Sequence, residues 1–386
     1  VKVGAGLSIK EDPRAAGLEA TLEARARLSG ERADLAVLFA SPQFSPGSEA
    51  LLDAVHEAAS PATLIGCLAE AVVGRDREVE GGPAVAVWLA SLGVNCEVST
   101  FRMIFEEPTL EGWPAEEDGT FLLLCDPHTF PVHLLLESLN ERAPGTVVMG
   151  GMASGSPGPG ATRLFLDDRV LDSGAVGARL AGALEVHALV SQGCRPIGPV
   201  LTVTRAEGNA IFEVGGRPPL EQIKAMFGSL DEEDRRLASQ GLMLGRVVDE
   251  YRSEFGRGDF LIRSLLGLDP ESGAIAVGDR IEAGQTVQFH VRDAASADED
   301  LKATLSSLRR DLGVREPVGA LLFTCNGRGK RMFAVPDHDA ALVARELGAP
   351  LVGFFCAGEL GPIGGQTFLH GFTASMAVFV AGEPAR

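Results

Sequence analysis

Short apolar runs alternate with amphipathic stretches along this chain, three times over and in one order. The first cycle is ADLAVLFASP, the helical stretch Ser48 to Ala59, ATLIGCLAEA and the apolar run PAVAVWLASL. The second begins TFLLLCDP and continues through HLLLESLNERA and TVVMGGMASG to GAVGARLAGAL. The third reads GALLFTCN, a basic loop, DHDAALVARELG, PLVGFFCAGELG and GFTASMAVFVAG. Apolar runs of four to six residues joined through helices of about 11 to 13 residues predict α/β units with at least partly parallel pairing. Each cycle reads strand, loop, helix, strand and further strand. PAVAVWLASLG followed directly by VNCEVSTFRMIF reads as two strands with a tight glycine turn, which makes the sheets mixed. The expected fold class is mixed α/β (α+β): repeated strand-helix-strand-strand units forming mixed sheets covered by helices, in two domains.

The cycles share landmarks that set their register. Ser41, Asp126 and Cys325 fall at one place, just past the first apolar strand, where the chain turns polar. Gly66, Gly150 and Gly353 each end a short apolar run, and three residues later stand Ala69, Ala153 and Cys356. A glycine with a small partner at that spacing marks close approach of the backbone to a neighbouring element or to a ligand. Strand-end loops of such sheets carry ligand chemistry, so the loops of Ser41, Asp126 and Cys325 are the places to look.

The middle of the chain differs. From Glu185 it runs EVHALVSQGCRPIGPVLTVTRAEGNAIFEVGGRPPLEQI, short β-like segments cut by Gly and Pro that end in a helix start near Pro219. Glu207-Gly208-Asn209 is a hairpin signal between LTVTRA and AIFEV. A charged helical stretch, DEEDRRLASQGLMLGRV, precedes a second β-rich block from Asp259 to Asp293. The expected division is residues 1–215 and 216–386.

Composition narrows the function. At 386 residues the chain exceeds one ordinary core, and two domains of roughly 150 to 200 residues are the default. A net charge of -19 opposes binding to phosphate backbones or anionic lipid, so neither nucleic acid nor membrane is an expected partner. The six cysteines are scattered without a CxxC pair, which excludes a zinc knuckle and a disulfide framework. No charged start precedes an apolar run, and nowhere do 18 apolar residues occur together. The expected location is the cytoplasm.

Four runs carry a resemblance. QGCRPIGPVLTVTRAEGNAIFEVGG (Gln192 to Gly216), FLIRSLLGLDPESGAIAVGDRIEAGQTVQFHVRD (Phe260 to Asp293), LLFTCNGRG (Leu321 to Gly329) and GFFCAGELGPIGG…FLHGFTAS (Gly353 to Ser375) resemble the FIST family. Residues 1–215 are similar to its N-terminal domain and residues 216–386 to its C-terminal domain. The resemblance implies a sensory module that binds small ligands such as amino acids, with no catalytic activity attached. Some members of the family carry haem and sense nitric oxide.

The residues offer three constellations. In CNGRGK, Cys325 follows a buried strand, and Asn326, Arg328, Lys330 and Arg331 crowd polar and positive groups around it. Positive charge there lowers a thiol pKa and attracts a carboxylate or phosphate. The bland alternative is a small residue capping a strand, with a solvated turn beside it. In the second, CAGELGPIGG and the residues beyond, Glu359 among glycines could accept from a ligand ammonium or anchor Arg328, while His370 and Thr373 stand downstream. In the third, Arg195 before Pro196 could clamp a carboxylate bidentately or pair with an acid between domains, and the latter is favoured by its place near the junction. GGMASGSPGPG lacks the GKS or GKT ending of a phosphate loop, and no GxSxG or HExxH is present.

Three readings remain. A small-ligand sensor for an amino acid or small carboxylate, binding without turnover and without a cofactor, comes first. A haem-based gas sensor would use His370 or His290 as iron ligand. A thiol switch or enzyme would use Cys325.

Overall fold

The computed structural model describes residues 1–252 and 254–382. Two compact units emerge: Val1–Val190 with Leu301–Leu369 and the segment from Thr373 onward, and Ser191–Asp300 with His370–Phe372.

The first unit is built from the three cycles read in the sequence. Cycle one comprises β1 (Lys2–Ser8), α1 (Pro13–Ala26), β2 (Leu35–Ala40), α2 (Ser48–Ala59), β3 (Thr63–Leu68), the hairpin β4 (Ala71–Gly74) and β5 (Arg77–Glu80), and β6 (Val85–Ser91). Cycle two comprises β7 (Cys96–Glu106), β8 (Thr109–Glu111), β9 (Thr120–Cys125), α3 (Val132–Arg142), β10 (Val147–Met152), the hairpin β11 (Leu164–Leu166) and β12 (Arg169–Leu171), and β13 (Ala175–Gly182). Cycle three opens with β14 (Leu184–Gln192), after which the chain forms the second unit.

That unit holds β15 (Cys194–Glu207), β16 (Ala210–Val214), α4 (Pro219–Ser229), α5 (Glu232–Gln240), β17 (Leu242–Val247), β18 (Phe260–Leu268), β19 (Ile275–Val277) and β20 (Thr286–Arg292). Its six strands close into a barrel in the order β15-β16-β19-β18-β17-β20. The barrel draws β15 and β16 from before residue 216 and its other strands from after it. The expected hairpin is present, with Glu207 opposite Ala210. The stretch read as one charged helix stops at Gln240, and LMLGRV is strand β17. Gly241, extended at the helix end, separates the two periodicities.

Cycle three resumes with α6 (Ala294–Leu312), β21 (Pro317–Cys325), α7 (His338–Leu347), β22 (Leu351–Cys356), the hairpin β23 (Glu359–Ile363) and β24 (Gln366–His370), and β25 (Thr373–Ala381). Each cycle contributes one parallel strand pair across its helix: β2 with β3, β9 with β10, β21 with β22. Every sheet then adds antiparallel strands, and is mixed as expected. The source of one such strand differs from expectation. β6 and β7 do not form a hairpin: β6 lies between β1 and β2, whereas β7 joins the next sheet beside β13. Gly93 with φ of 83° hands the chain over rather than folding it back.

The short hairpins travel too. β4-β5 of cycle one completes the sheet of cycle three beside β22, β11-β12 of cycle two completes that of cycle one beside β3, and β23-β24 of cycle three completes that of cycle two beside β10. The exchange closes as a ring of three. One face of each sheet meets in a shared core that includes Phe39, Trp88, Leu124, Met149, Phe323, Phe354 and Phe379. On the other faces α1 and α2 cover the first sheet, α3 the second, and α6 with α7 the third.

The register read from the sequence holds residue for residue. Gly66, Gly150 and Gly353 lie opposite Leu38, Leu123 and Leu322 on the parallel partner. A Cβ at these glycines would stand 2.1, 2.0 and 1.9 Å from the carbonyl oxygen of that leucine, so close backbone approach is the reason for the glycine in all three cycles.

Candidate functional site

Since the three cycles superimpose in register, each position of one has a counterpart in the others. Ser41, Asp126 and Cys325 follow the leucines above by three residues and are counterparts. Ser41 and Asp126 tie their turns to other segments of their own cycles. Ser41 Oγ accepts the Ala84 N–H at 2.9 Å. Asp126 accepts the hydroxyls of Thr162, at 2.6 Å, and of Thr129, at 2.5 Å.

Cycle three departs from this pattern. Three residues beyond each turn stand Phe44, Thr129 and Arg328, and Arg328 is completely buried. On the exchanged hairpins the strand pairings align Val72, opposite Phe354, with Leu164, opposite Cys67, and with Glu359, opposite Gly151. Two apolar residues thus match a buried carboxyl. The last strands begin with Val85, Ala175 and Thr373. The polar residues Cys325, Arg328, Glu359 and Thr373, read in the sequence as two constellations, therefore stand on related positions of one cycle.

The buried guanidinium is held by a residue the sequence reading missed. Arg328 Nε and Nη2 donate to Asp339 Oδ2 and Oδ1 at 2.6 and 2.8 Å, a bidentate fork near the start of α7. Asp339 also accepts the Thr324 hydroxyl at 3.0 Å and lies 2.9 Å from His338 Nδ1. The His338 ring stacks on Phe333 with centroids 3.5 Å apart, and the Arg328 guanidinium lies 5.3 Å from the Phe333 centroid. Burial works against both charges, but each offsets it for the other: Asp339 stays well below the usual carboxylate range and Arg328 above its own. Asp339, rather than Glu359, is the acid that anchors Arg328.

Glu359 meets different conditions. Its Oε2 accepts the Thr373 N–H at 3.1 Å and hydroxyl at 2.8 Å. Complete burial, opposed only in part by hydrogen bonds from Thr373 and Cys325 and by the Arg328 charge, pushes its carboxyl up to about 8. At neutral pH it is mostly a neutral acid, able to donate as well as accept. Nearby Glu78, on the hairpin lent by cycle one, accepts the Ala340 N–H at 3.0 Å. Burial and the adjacent Asp339 charge raise it to about 7.

Hydrogen-bond capacity is left over here. Of nine buried side-chain polar atoms without a partner among the described residues, four belong to this cluster: Arg328 Nη1, Glu359 Oε1, Asn326 Oδ1 and Glu78 Oε2. Such atoms are uncommon in native interiors, and their concentration at one place calls for a reason. The loop above is tied by cycle one: Glu80 accepts the Lys330 N–H at 2.9 Å, and Glu70 pairs with Arg331. Gly329, with φ of 59°, sits where a Cβ would meet Phe355 at 2.7 Å and the Glu80 carboxyl at 2.8 Å. Surface clefts of about 410 and 450 Å³ lie elsewhere, one lined by Glu23, Arg27 and Arg75, the other by Asp34, Cys96 and Arg179.

The remaining candidates belong to the second unit. Arg195 pairs with Asp293 at 2.6 Å and with Asp234, so its partners come from beyond residue 216 in the chain yet share its compact unit. His290 is buried, its Nδ1 lies 3.0 Å from the Gln288 carbonyl, and its ring packs on Phe260 at 4.9 Å. A Cβ at Gly245 would stand 2.4 Å from that ring. Burial lowers its pKa to about 4. These contacts are those of a packed core side chain. His370 is also buried. Among the described residues no cluster of three or more His, Cys, Asp or Glu could hold a metal ion.

The class, then, is a two-unit α/β protein with internal repeats and a closed polar cluster in one repeat. The chain belongs to the FIST family: the FIST N domain matches residues 34–217 and the FIST C domain residues 219–362. FIST domains are associated with sensory signal transduction. The chain is similar to an uncharacterized protein of Mycobacterium tuberculosis, 49% identical over 98% of this chain and 100% of the relative. It is likewise similar to an uncharacterized protein of Mycobacterium bovis, 48% identical over 98% of this chain and 99% of the relative. Among the described residues no helix is long and apolar enough to cross a membrane.

Proposed function

We propose that this protein is a cytoplasmic sensory module that binds a small carboxylate, such as an amino acid, at the Cys325, Arg328, Glu359 and Thr373 cluster without chemical turnover. The observation that carries this reading is the pair of buried, unpartnered atoms Arg328 Nη1 and Glu359 Oε1, on positions that hold no buried charge in the other cycles. A ligand carboxylate would accept from the guanidinium and from the protonated Glu359, satisfying both. Asn326 Oδ1 would remain to accept from a ligand ammonium. The cluster is enclosed, so entry requires displacing the Cys325 to Arg331 loop, whose ties to Glu70 and Glu80 lie at the exposed edge. Movement of that loop is the signal this reading calls for. The six cysteines are scattered along the sequence without a CxxC pair, a usage that fits a reducing compartment.

The test is a thermal screen of amino acids and small carboxylic acids, in which a ligand at 100 times its dissociation constant adds about 2.7 kcal/mol. Glu359→Gln, which can still donate, should keep the response to a carboxylate, and Glu359→Leu should lose it. A native protein unmoved by the whole panel, or a Glu359→Leu protein that responds like the native one, would overturn the reading.

A further inference from the structure

The barrel of the second unit contains a charge arrangement unrelated to the Cys325 cluster. On β17, Leu242 and Leu244 pack in the barrel core while Met243 and Val247 join a separate cluster. Side chains alternate along a strand, so Arg246 faces the core side. On β18 the same alternation, with Phe260 and Ile262 in the separate cluster and Leu265 against the core, places Arg263 on that side as well. The strands pair with Leu244 opposite Arg263 and Arg246 opposite Leu261, which brings the two arginines together diagonally.

One carboxylate serves both. Arg263 Nε lies 2.8 Å and Arg246 Nη2 3.4 Å from the same oxygen, Asp279 Oδ2. The other oxygen, Oδ1, accepts the Arg280 N–H at 2.9 Å. Arg263 Nη1 turns to the Ile262 carbonyl at 3.1 Å, and Arg246 Nε is buried with no partner among the described residues. The side chains of Arg246, Arg263 and Asp279 are 22%, 14% and 24% exposed, so the group is largely withdrawn from water without being sealed from it. Burial lowers the Arg263 pKa, Asp279 opposes this, and Arg246 adds to it: the two cations repel across a site with one negative charge too few. In a chain of net charge -19 that local excess of positive charge runs against the general field.

We infer that Arg246 and Arg263 form a second binding site, for a small oxyanion, at the barrel. An oxyanion seated beside Asp279 would accept from Arg246 Nε, complete the charge balance and use the planar fork geometry that guanidinium groups offer to carboxylates and phosphates. The source of the oxyanion is either a phosphate group or a carboxylate, and the two are separable by experiment.

The whole protein is titrated at pH 7 with inorganic phosphate and, separately, with acetate, at ionic strength held constant with chloride, and the melting temperature is followed. A dose-dependent rise specific to one anion is expected, and its identity names the source. Arg246→Gln should lose the rise. Asp279→Asn removes the competing negative charge and should tighten anion binding by about tenfold or more. A purely structural ion-pair group would show no anion response, and its Asp279→Asn variant would be weakened without gaining affinity. Should Arg246→Gln not fold, Arg246→Lys, which keeps the charge but lacks Nε in a fork, should bind the anion more weakly. Equal response to phosphate, acetate and chloride, or unchanged affinity in Asp279→Asn, overturns the site.

Discussion

Cycles one and three of the first unit are built on one plan and filled differently. At the turn after the first strand, cycle one has Ser41 bonded to its own neighbour strand and Phe44 buried behind it, whereas cycle three has Cys325 with a buried Arg328. Val72 on the hairpin of cycle one corresponds to Glu359 on that of cycle three. The plan therefore does not need a charged group at the positions of Arg328 and Glu359, which hold Phe44 and Val72 in cycle one and Thr129 and Leu164 in cycle two. Cycle three carries both at a cost in desolvation, and a cost borne at these positions in one of three equivalent places marks function more strongly than a polar residue alone.

The comparison can be broken hardest at the ion pair. Asp339→Ala leaves Arg328 buried without its partner and should destabilise by about 3 to 5 kcal/mol in urea unfolding. The double change Arg328→Met with Asp339→Leu, which moves cycle three toward the apolar filling of cycle one, should recover most of that loss. Failure to recover would mean that the pair does more than neutralise itself. Next come the glycines: Gly66→Ala and Gly353→Ala each press a Cβ on a leucine carbonyl, at 2.1 and 1.9 Å, and should cost about 1 to 3 kcal/mol or more. Equal losses would confirm that these glycines serve the shared plan, and a much larger loss of ligand response at Gly353 would tie it to the site.

The pH dependence gives a smaller but sharper test. Glu359 binds its proton more tightly folded than unfolded, with a folded pKa of about 8, so its contribution to stability is greatest below the ordinary carboxylate range. It declines as pH rises to about 8, by at most about 1.4 kcal/mol per unit. Glu78 acts in the same direction up to about 7. Glu359→Gln should flatten the upper part of this decline, whereas Val72→Leu in cycle one should leave it intact. The smallest effect belongs to the exposed Arg331 and Glu70 pair, where Arg331→Ala should change stability by less than about 1 kcal/mol.

Much of the first unit was legible because its central parallel strands are apolar on both faces and its helices are amphipathic. α2 begins and ends where the periodicity put it, at Ser48 and Ala59. The register was legible through the glycines, since backbone contact leaves a residue-type signature. Strand pairing leaves none: nothing in AVVGRDREVE says that Val72 pairs with Phe354. β7 was misassigned to a hairpin although its half-exposed pattern, unlike the fully buried β6, fits a strand near a sheet edge. Cys325 with Arg328, and Glu359 with Thr373, were read as two constellations, and the ring of exchanged hairpins is what brings them onto related positions. Asp339 and Glu78 were missed because an acid near a helix start and a charged hairpin both read as ordinary surface. Burial turns them into partners.

The exchanged hairpins also determine what can be removed. A fragment ending after cycle two would leave β10 with an unfilled edge and the β4-β5 hairpin with no sheet to join. Bare edges and orphaned hairpins seek pairing in other molecules. Such a fragment should associate with copies of itself, or with a separately supplied third cycle, and the three-cycle ring is the smallest assembly of this architecture that leaves none of its lent hairpins unplaced.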